Sequence, residues 1–165
     1  MTPPRLVAAG VTLRDQLNER FPKRDKRSDG WIGDLAHSNR RSLHNPDRSG
    51  WVRALDVDED FGAPGSAKDF ADQLIEYVRA GLDHGRILHV VYENRVASGT
   101  FPNRHGRELT YWVWRRDPTL GHTEHIHISF TPKADTDGRP FNLPILHVDK
   151  PKPAKKTAKK AATPA

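Results

Sequence analysis

The sequence contains no cysteine. Disulfide bridges, thiolate metal sites and a cysteine nucleophile are therefore excluded, and the redox compartment is left open. It has no run near the ~18–20 consecutive apolar residues that cross a bilayer, so no membrane span is expected. The opening Met1-Thr2-Pro3-Pro4-Arg5 lacks the apolar stretch of a secretory signal, so no ordinary export route is expected. Excess charge is also missing from most of the chain. The net charge of +6 arises in 150–165, where Lys150, Lys152, Lys155, Lys156, Lys159 and Lys160 meet no acid. With those six of the 27 basic residues set aside, 1–149 holds 21 basic and 21 acidic residues. A folded nucleic-acid-binding domain carries its basic surface itself, so no specific nucleic-acid partner is expected.

What is present suits one ordinary folded domain. The chain has 165 residues, 35% hydrophobic and 29% charged, with a mean hydropathy of −0.77. That is polar and loop-rich, yet four Trp, six Phe and three Tyr are too many for general disorder. Residues 1–149 read as the domain. The Lys/Ala/Pro-rich tail 150–165 cannot pack and is expected to be disordered, either solvating the terminus or contacting an anionic polymer.

Periodicity predicts an α+β fold, a small and mostly antiparallel sheet flanked by helices and long loops. A short helix starting at Gly10 or Thr12 would place Leu13, Leu17 and Phe21 on one face before Pro22 stops it. A clearer helix spans 66–82, where Ala67, Phe70, Ala71, Leu74, Ile75, Val78 and Leu82 recur at i, i+3, i+4 spacing. Strand-like runs lie at Arg53–Val57, Arg86–Tyr92, Arg95–Ser98, Thr110–Trp114 and His125–Phe130, with Glu93-Asn94 as a tight hairpin. Segments 23–50, 99–109 and 116–123 read as long loops, the usual place for a site in a small domain.

The chemistry concentrates in two places. In Glu124-His125-Ile126-His127-Ile128-Ser129, strand alternation puts His125, His127 and Ser129 on one face and the isoleucines on the other. Two imidazoles presented together offer nitrogen to a metal, although an isolated His-x-His is more often a pair of surface histidines. Ser42-Leu43-His44 and Ala54-Leu55-Asp56 add a loop histidine and a strand carboxylate. Two neutral imidazoles and one carboxylate around Zn²⁺ leave one tetrahedral position open, the arrangement of a catalytic zinc. Asp58, on the same face as Asp56, is a rival ligand; the alternative for it is a solvated acidic turn with Glu59 and Asp60.

These residues resemble the LAS metallopeptidases, which include zinc D-Ala-D-Ala carboxypeptidases and dipeptidases, lysostaphin-like enzymes and the hedgehog signalling domain. Ser42 and His44 match the start of that group's Ser-x-His-x-x-Gly-x-Ala-x-Asp motif, Ala54-Leu55-Asp56 its end, and Glu124-His125-Ile126-His127 its final motif. Arg27 to Asp34, with His37, His44-Asn45-Pro46 and Arg53 to Asp56, is closer still to peptidase domains of endolysins from phages of actinobacteria. The likeness covers about residues 20–130. Eleven residues separate His44 from Asp56, more than in the family motif, so part of Asn45–Ser49 must loop out.

The resemblance implies a hedgehog/DD-peptidase-like fold and one Zn²⁺ per chain held by His44, Asp56 and His127. It implies that Glu124 takes a proton from the attacking water and returns it to the leaving amine. For that, Glu124 must lie in the bend before the strand rather than on it. It further implies that His125 hydrogen-bonds the tetrahedral intermediate and that an upstream arginine, best Arg27 and otherwise Arg24 or Arg41, stabilises the oxyanion. His37 and His122 are candidate substrate contacts. Trp112 and Trp114, alternating on a strand, would line the cleft floor, with core packing as the alternative. The remaining histidines, His84, His89, His105 and His147, have no partner visible in the sequence.

The function so implied is hydrolysis of an amide bond in the stem peptide or crosslink of peptidoglycan. The protein would be made in the host cytoplasm, act on the cell wall as a phage endolysin, and work as a monomer. A bacterial D-Ala-D-Ala carboxypeptidase, a virion-associated wall hydrolase and a non-catalytic metal- or wall-binding module of the same fold are the alternatives.

Overall fold

The computed structural model describes residues 2–34, 41–99 and 111–147. The tail 150–165 and His37 lie outside them. Within them the protein is mixed helix and sheet. Strand β1 (Arg5–Leu6) leads into helix α1 (Ala8–Arg20), and β2 (Trp51–Val52) pairs in parallel with β1. Then come β3 (Ala54–Asp58), helix α2 (Ser66–Arg79), β4 (Ile87–Tyr92), β5 (Arg95–Ser98), β6 (Arg115–Arg116) and β7 (His125–Phe130). Strands β3 to β7 form one antiparallel sheet in the order β3-β7-β4-β5-β6. Among the described residues no helix is long and apolar enough to cross a membrane.

Alternation divides this sheet into two faces. Leu55, Val57, Val90, Tyr92, Ala97, Ile126, Ile128 and Phe130 bury one face in a core completed by α1 and α2. From α2 come Ala67, Phe70, Ala71, Leu74, Ile75 and Val78, each larger side chain worth ~1.5–3 kcal/mol on burial. The opposite face carries the polar partners of the same strands: Asp56 and Asp58, His125, His127 and Ser129, and His89 and Ser98. Register shifts between Ile87 and His89, and this irregularity lets Ile87 reach the core while His89 turns to the polar side.

Three details depart from the sequence reading. Helix α1 begins at Ala8, earlier than the Gly10 or Thr12 start, and Gly10 lies inside it. Leu6 packs so closely there that a Cβ on Gly10 would meet Leu6 Cδ1 at 2.9 Å. No side chain caps this helix; the Ala8 N–H donates to the distant Asp135 carbonyl instead. Helix α2 stops at Arg79, before Leu82. Gly81 takes φ of +74° and the amides of Gly81 and Leu82 donate to the Val78 and Tyr77 carbonyls, a Schellman ending that leaves Leu82 outside the core.

Thirdly, no strand forms over the described part of Thr110–Trp114. Tyr111 and Trp112 make a turn, and Trp112, at φ of +52°, is only 3% exposed within the core. Arg79 of α2 donates twice to its carbonyl. Trp114 packs against the same core and donates its indole N–H to Asp72 of α2 at 2.8 Å. The alternation that would set both rings on a cleft floor is absent, because Trp112 is buried in the core with its carbonyl held by Arg79 and the Trp114 indole is held by Asp72. The hairpin reading holds: Glu93 and Asn94 adopt φ of +49° and +56°, the twist a two-residue β-turn requires.

Candidate metal centre

The site forms where the polar sheet face meets the loop before β2. Asp56 and His127 are direct partners in the β3–β7 register, so antiparallel pairing alone brings a carboxylate beside an imidazole. His44 arrives from outside the sheet. Its carbonyl accepts from Gly33 N–H at 2.9 Å, and the preceding Leu43 carbonyl accepts from Arg53 N–H at 3.0 Å. The extra residues between His44 and Asp56 are taken up in a turn, where Asp47 Oδ1 accepts the amides of Ser49 and Trp51. Gly50 closes it at φ of +85°, so near Pro3 that a Cβ would lie 2.6 Å from the Pro3 carbonyl oxygen. The segment carrying Trp31 is aligned in turn by Gly30, which forms a bridge with Asp56.

His44, Asp56 and His127 offer ligand atoms that all lie within 4.8 Å of one another, and this group can hold a metal ion. His44 Nε2 stands 3.2 Å from His127 Nδ1 and 3.3 Å from Asp56 Oδ2. His127 Nδ1 stands 2.8 Å from Asp56 Oδ1. Ligands at ~2.0–2.1 Å from a tetrahedral ion stand about 3.3 Å apart. Two of the three separations match, and the third is closer because the imidazole and carboxylate attract directly. The Trp31 carbonyl, 3.0 Å from His44 Nδ1, can only accept a hydrogen bond. His44 therefore carries its proton on Nδ1 and bares Nε2 toward the others. This backbone support is typical of metal-ligating histidines.

Charge balance favours a cation at this point. Burial pushes the Asp56 carboxyl up, but the His127 and His44 imidazoles in contact with it hold it well below the usual carboxylate range. Burial opposes charging of His44, yet Asp56 and the Trp31 carbonyl outweigh it and raise its pKa. His127 is lowered, burial being stronger than the pull of Asp56. Beside it, His89 is held at about 4 by burial and by repulsion from His127 and His122.

A pH dependence follows for chelator-treated protein. A histidine with a lowered folded pKa contributes stability that is complete above about pH 6.5 and is lost as the pH falls toward the folded value. His89, His127 and His122 act in that sense, His122 being lowered by burial and by repulsion from His125. His44 acts oppositely, its contribution being present below pH 6.5 and lost as the pH rises. With three groups against one, stability is expected to fall between about pH 6.5 and 4. Denaturant midpoints across that range check it, and a flat or rising profile would contradict the burial of these rings.

The other residues singled out from the sequence are placed as follows. His125 Nε2 lies 3.7 Å from Asp56 Oδ1, at the edge of the group. His122 donates from Nδ1 to the Leu120 carbonyl, and its ring stands 4.8 Å from that of His125 and 5.3 Å from that of His127. Glu124 sits in a bend directly before β7, the position that the resemblance asks of a general base. It lines a cleft of about 370 Å³ with Asp25, Arg27, Ser28, Asp58, Glu59 and Asp60. Arg27 reaches that cleft with its side chain 88% exposed and paired to Asp25.

Arg24 is not available for the same task, being buried and tied to Asn18, the Asp25 carbonyl and both oxygens of Asp29. Asp58 stands outside the three-residue group, and it is not a solvated turn. It is buried, with one oxygen accepting Ser28 N–H and the other Asp60 N–H, so both oxygens are held by backbone. Trp112 and Trp114 lie on the helix side of the sheet.

The sequence reading placed Ser129 on the face of His127 without making it a partner, and found no partner for His89. Ser129 Oγ stands 2.8 Å from His127 Nε2 and 3.0 Å from His89 Nε2, and the His89 and His127 rings stack at 5.6 Å. The signal for His89 was a lone polar residue in the apolar run Ile87–Tyr92, and only strand pairing gives it a meaning. Compared with protein-family models, with curated proteins and with solved structures, the chain matches none.

Proposed function

We propose that this chain is a zinc-dependent peptidase of the LAS type, with a hedgehog/DD-peptidase-like fold. Its reaction is hydrolysis of an amide bond in the stem peptide or crosslink of bacterial peptidoglycan, as the lytic module of a phage endolysin acting on the wall. One observation carries the reading: His44 Nε2, the Asp56 carboxylate and His127 Nδ1, from a loop and two paired strands, converge within ligand distance. Two neutral nitrogens and one carboxylate suit Zn²⁺ better than an oxygen-seeking ion such as Ca²⁺. When bound there, zinc supplies a Lewis acid for the substrate carbonyl and lowers the pKa of water.

The remaining work falls to the chain's own groups. The Trp31 carbonyl holds the His44 proton on Nδ1. Glu124, in its bend ahead of β7, takes a proton from the attacking water and delivers it to the leaving amine. His125, beside Asp56, donates a hydrogen bond to the developing oxyanion, while His122, whose Nδ1 proton is spent on the Leu120 carbonyl, offers Nε2 as an acceptor to a substrate N–H. Arg27, exposed and paired to Asp25, adds positive charge to a cleft otherwise rich in carboxylates.

Elemental analysis is expected to find about one zinc per chain. Glu124→Gln is expected to keep that metal while wall-lytic activity falls about 10²–10⁴-fold, the usual worth of a general acid–base. Unchanged lysis would remove Glu124 from the mechanism. Zinc binding with no fragments released from any purified wall would favour the non-catalytic module of the same fold. Mass spectrometry of the released fragments identifies the bond that is cut.

A further inference from the structure

His89 is remote from His44 in sequence and on a strand that supplies none of the three ligands, yet hydrogen bonds connect it to the group. Ser129 Oγ lies between His127 Nε2 at 2.8 Å and His89 Nε2 at 3.0 Å. Ser129 is 0% exposed, so these nitrogens, rather than water, must satisfy its hydroxyl. A hydroxyl has one proton to give. It can donate to one of the two rings and must accept from the other.

The choice matters for His127. Were Ser129 to donate to His127 Nε2, the proton of a neutral His127 would sit on Nδ1, between Asp56 and His44, and obstruct the ligand position. With the hydroxyl turned toward His89, His127 keeps its proton on Nε2, donates it to Ser129 Oγ and bares Nδ1. That second arrangement needs an acceptor at His89 Nε2, hence a His89 protonated on Nδ1. We propose that Ser129 and His89 are positioning residues of the metal centre, a buried relay that fixes which nitrogen of His127 is a ligand. The inference rests on the metal-centre reading above, and it assigns to β4 a part in a site otherwise built by β3, β7 and the His44 loop.

The relay is tested on the full chain with zinc as the probe. Ser129→Ala and His89→Phe, the latter keeping a flat ring but no acceptor, are each expected to weaken zinc affinity about 10–100-fold. The double variant should lose no more than Ser129→Ala alone, because both changes break one chain of bonds. His89→Gln, which restores an acceptor oxygen, should recover much of the loss and also serves if His89→Phe folds poorly. Nitrogen-15 NMR of zinc-loaded protein should find His127 protonated at Nε2 and His89 at Nδ1. Additive losses in the double variant, or a His89 protonated at Nε2 in the loaded protein, would overturn the relay while leaving the metal centre standing. A wild-type chain that takes up no divalent ion would overturn the metal-centre reading and the relay with it.

Discussion

Asp56→Ala is expected to remove the metal: zinc content should fall from about one per chain to background, with affinity reduced by more than the ~100-fold that loss of an outer partner costs. The reason lies in charge as much as in ligand count. His44 and His127 bring their nitrogens to within 3.2 Å of each other, and Asp56 supplies the one negative charge that makes a cation welcome between them. Asp56→Asn, which keeps the shape and loses the charge, should fail similarly. Asp58→Ala is the internal control. Its carboxylate accepts two backbone amides, so its loss should cost about 1–3 kcal/mol of stability and leave the zinc in place. On the proposed function, wall lysis disappears with Asp56 and survives in the folded fraction of Asp58→Ala. Full zinc occupancy in Asp56→Ala would end the assignment of that ligand.

Trp112→Ala is expected to cost about 3–5 kcal/mol, a large share of the ~5–15 kcal/mol that holds such a domain together. The indole is 3% exposed and fits against Gly99 so tightly that a Cβ there would meet Trp112 Nε1 at 3.0 Å. It borders a hollow that Val78, Gly81, Ile87 and Tyr111 also line. Denaturant unfolding of wild type and variant measures the loss, and zinc content per folded chain should not change. A loss under about 1 kcal/mol together with a raised KM on wall peptides would return Trp112 to the cleft.

Much of this fold is legible without coordinates. The i, i+3, i+4 pattern from Ala67 to Val78 and the alternation in His125–Phe130 are local signals, since a helix or strand must bury one face whatever it packs against. The hairpin at Glu93-Asn94 is also local, set by a two-residue turn. The start of α1 is not, because its capping partner is the carbonyl of Asp135 rather than a neighbouring side chain. Nor is the fate of Thr110–Trp114. Its alternation suits a strand, but Arg79 and Asp72 of α2 bind the Trp112 carbonyl and the Trp114 indole and pull the segment out of extended pairing.

The site divides in the same way. Residue types and order along the chain already single out His44, the Asp56 and Asp58 strand and the His125 and His127 strand, because a loop histidine, a strand aspartate and a His-x-His strand carry ligand chemistry wherever they meet. Whether they meet is a matter of register: Asp56 faces His127 only because β3 and β7 pair antiparallel at that offset, and a slip of one residue would turn the histidine into the core. The choice of Asp56 over Asp58 is tertiary too, decided by backbone amides of Ser28 and Asp60 that occupy the second carboxylate. So is the part of His89, a residue with no motif around it, which strand pairing alone brings to Ser129. Side-chain chemistry is written locally, whereas distance between segments exists only after the sheet has closed.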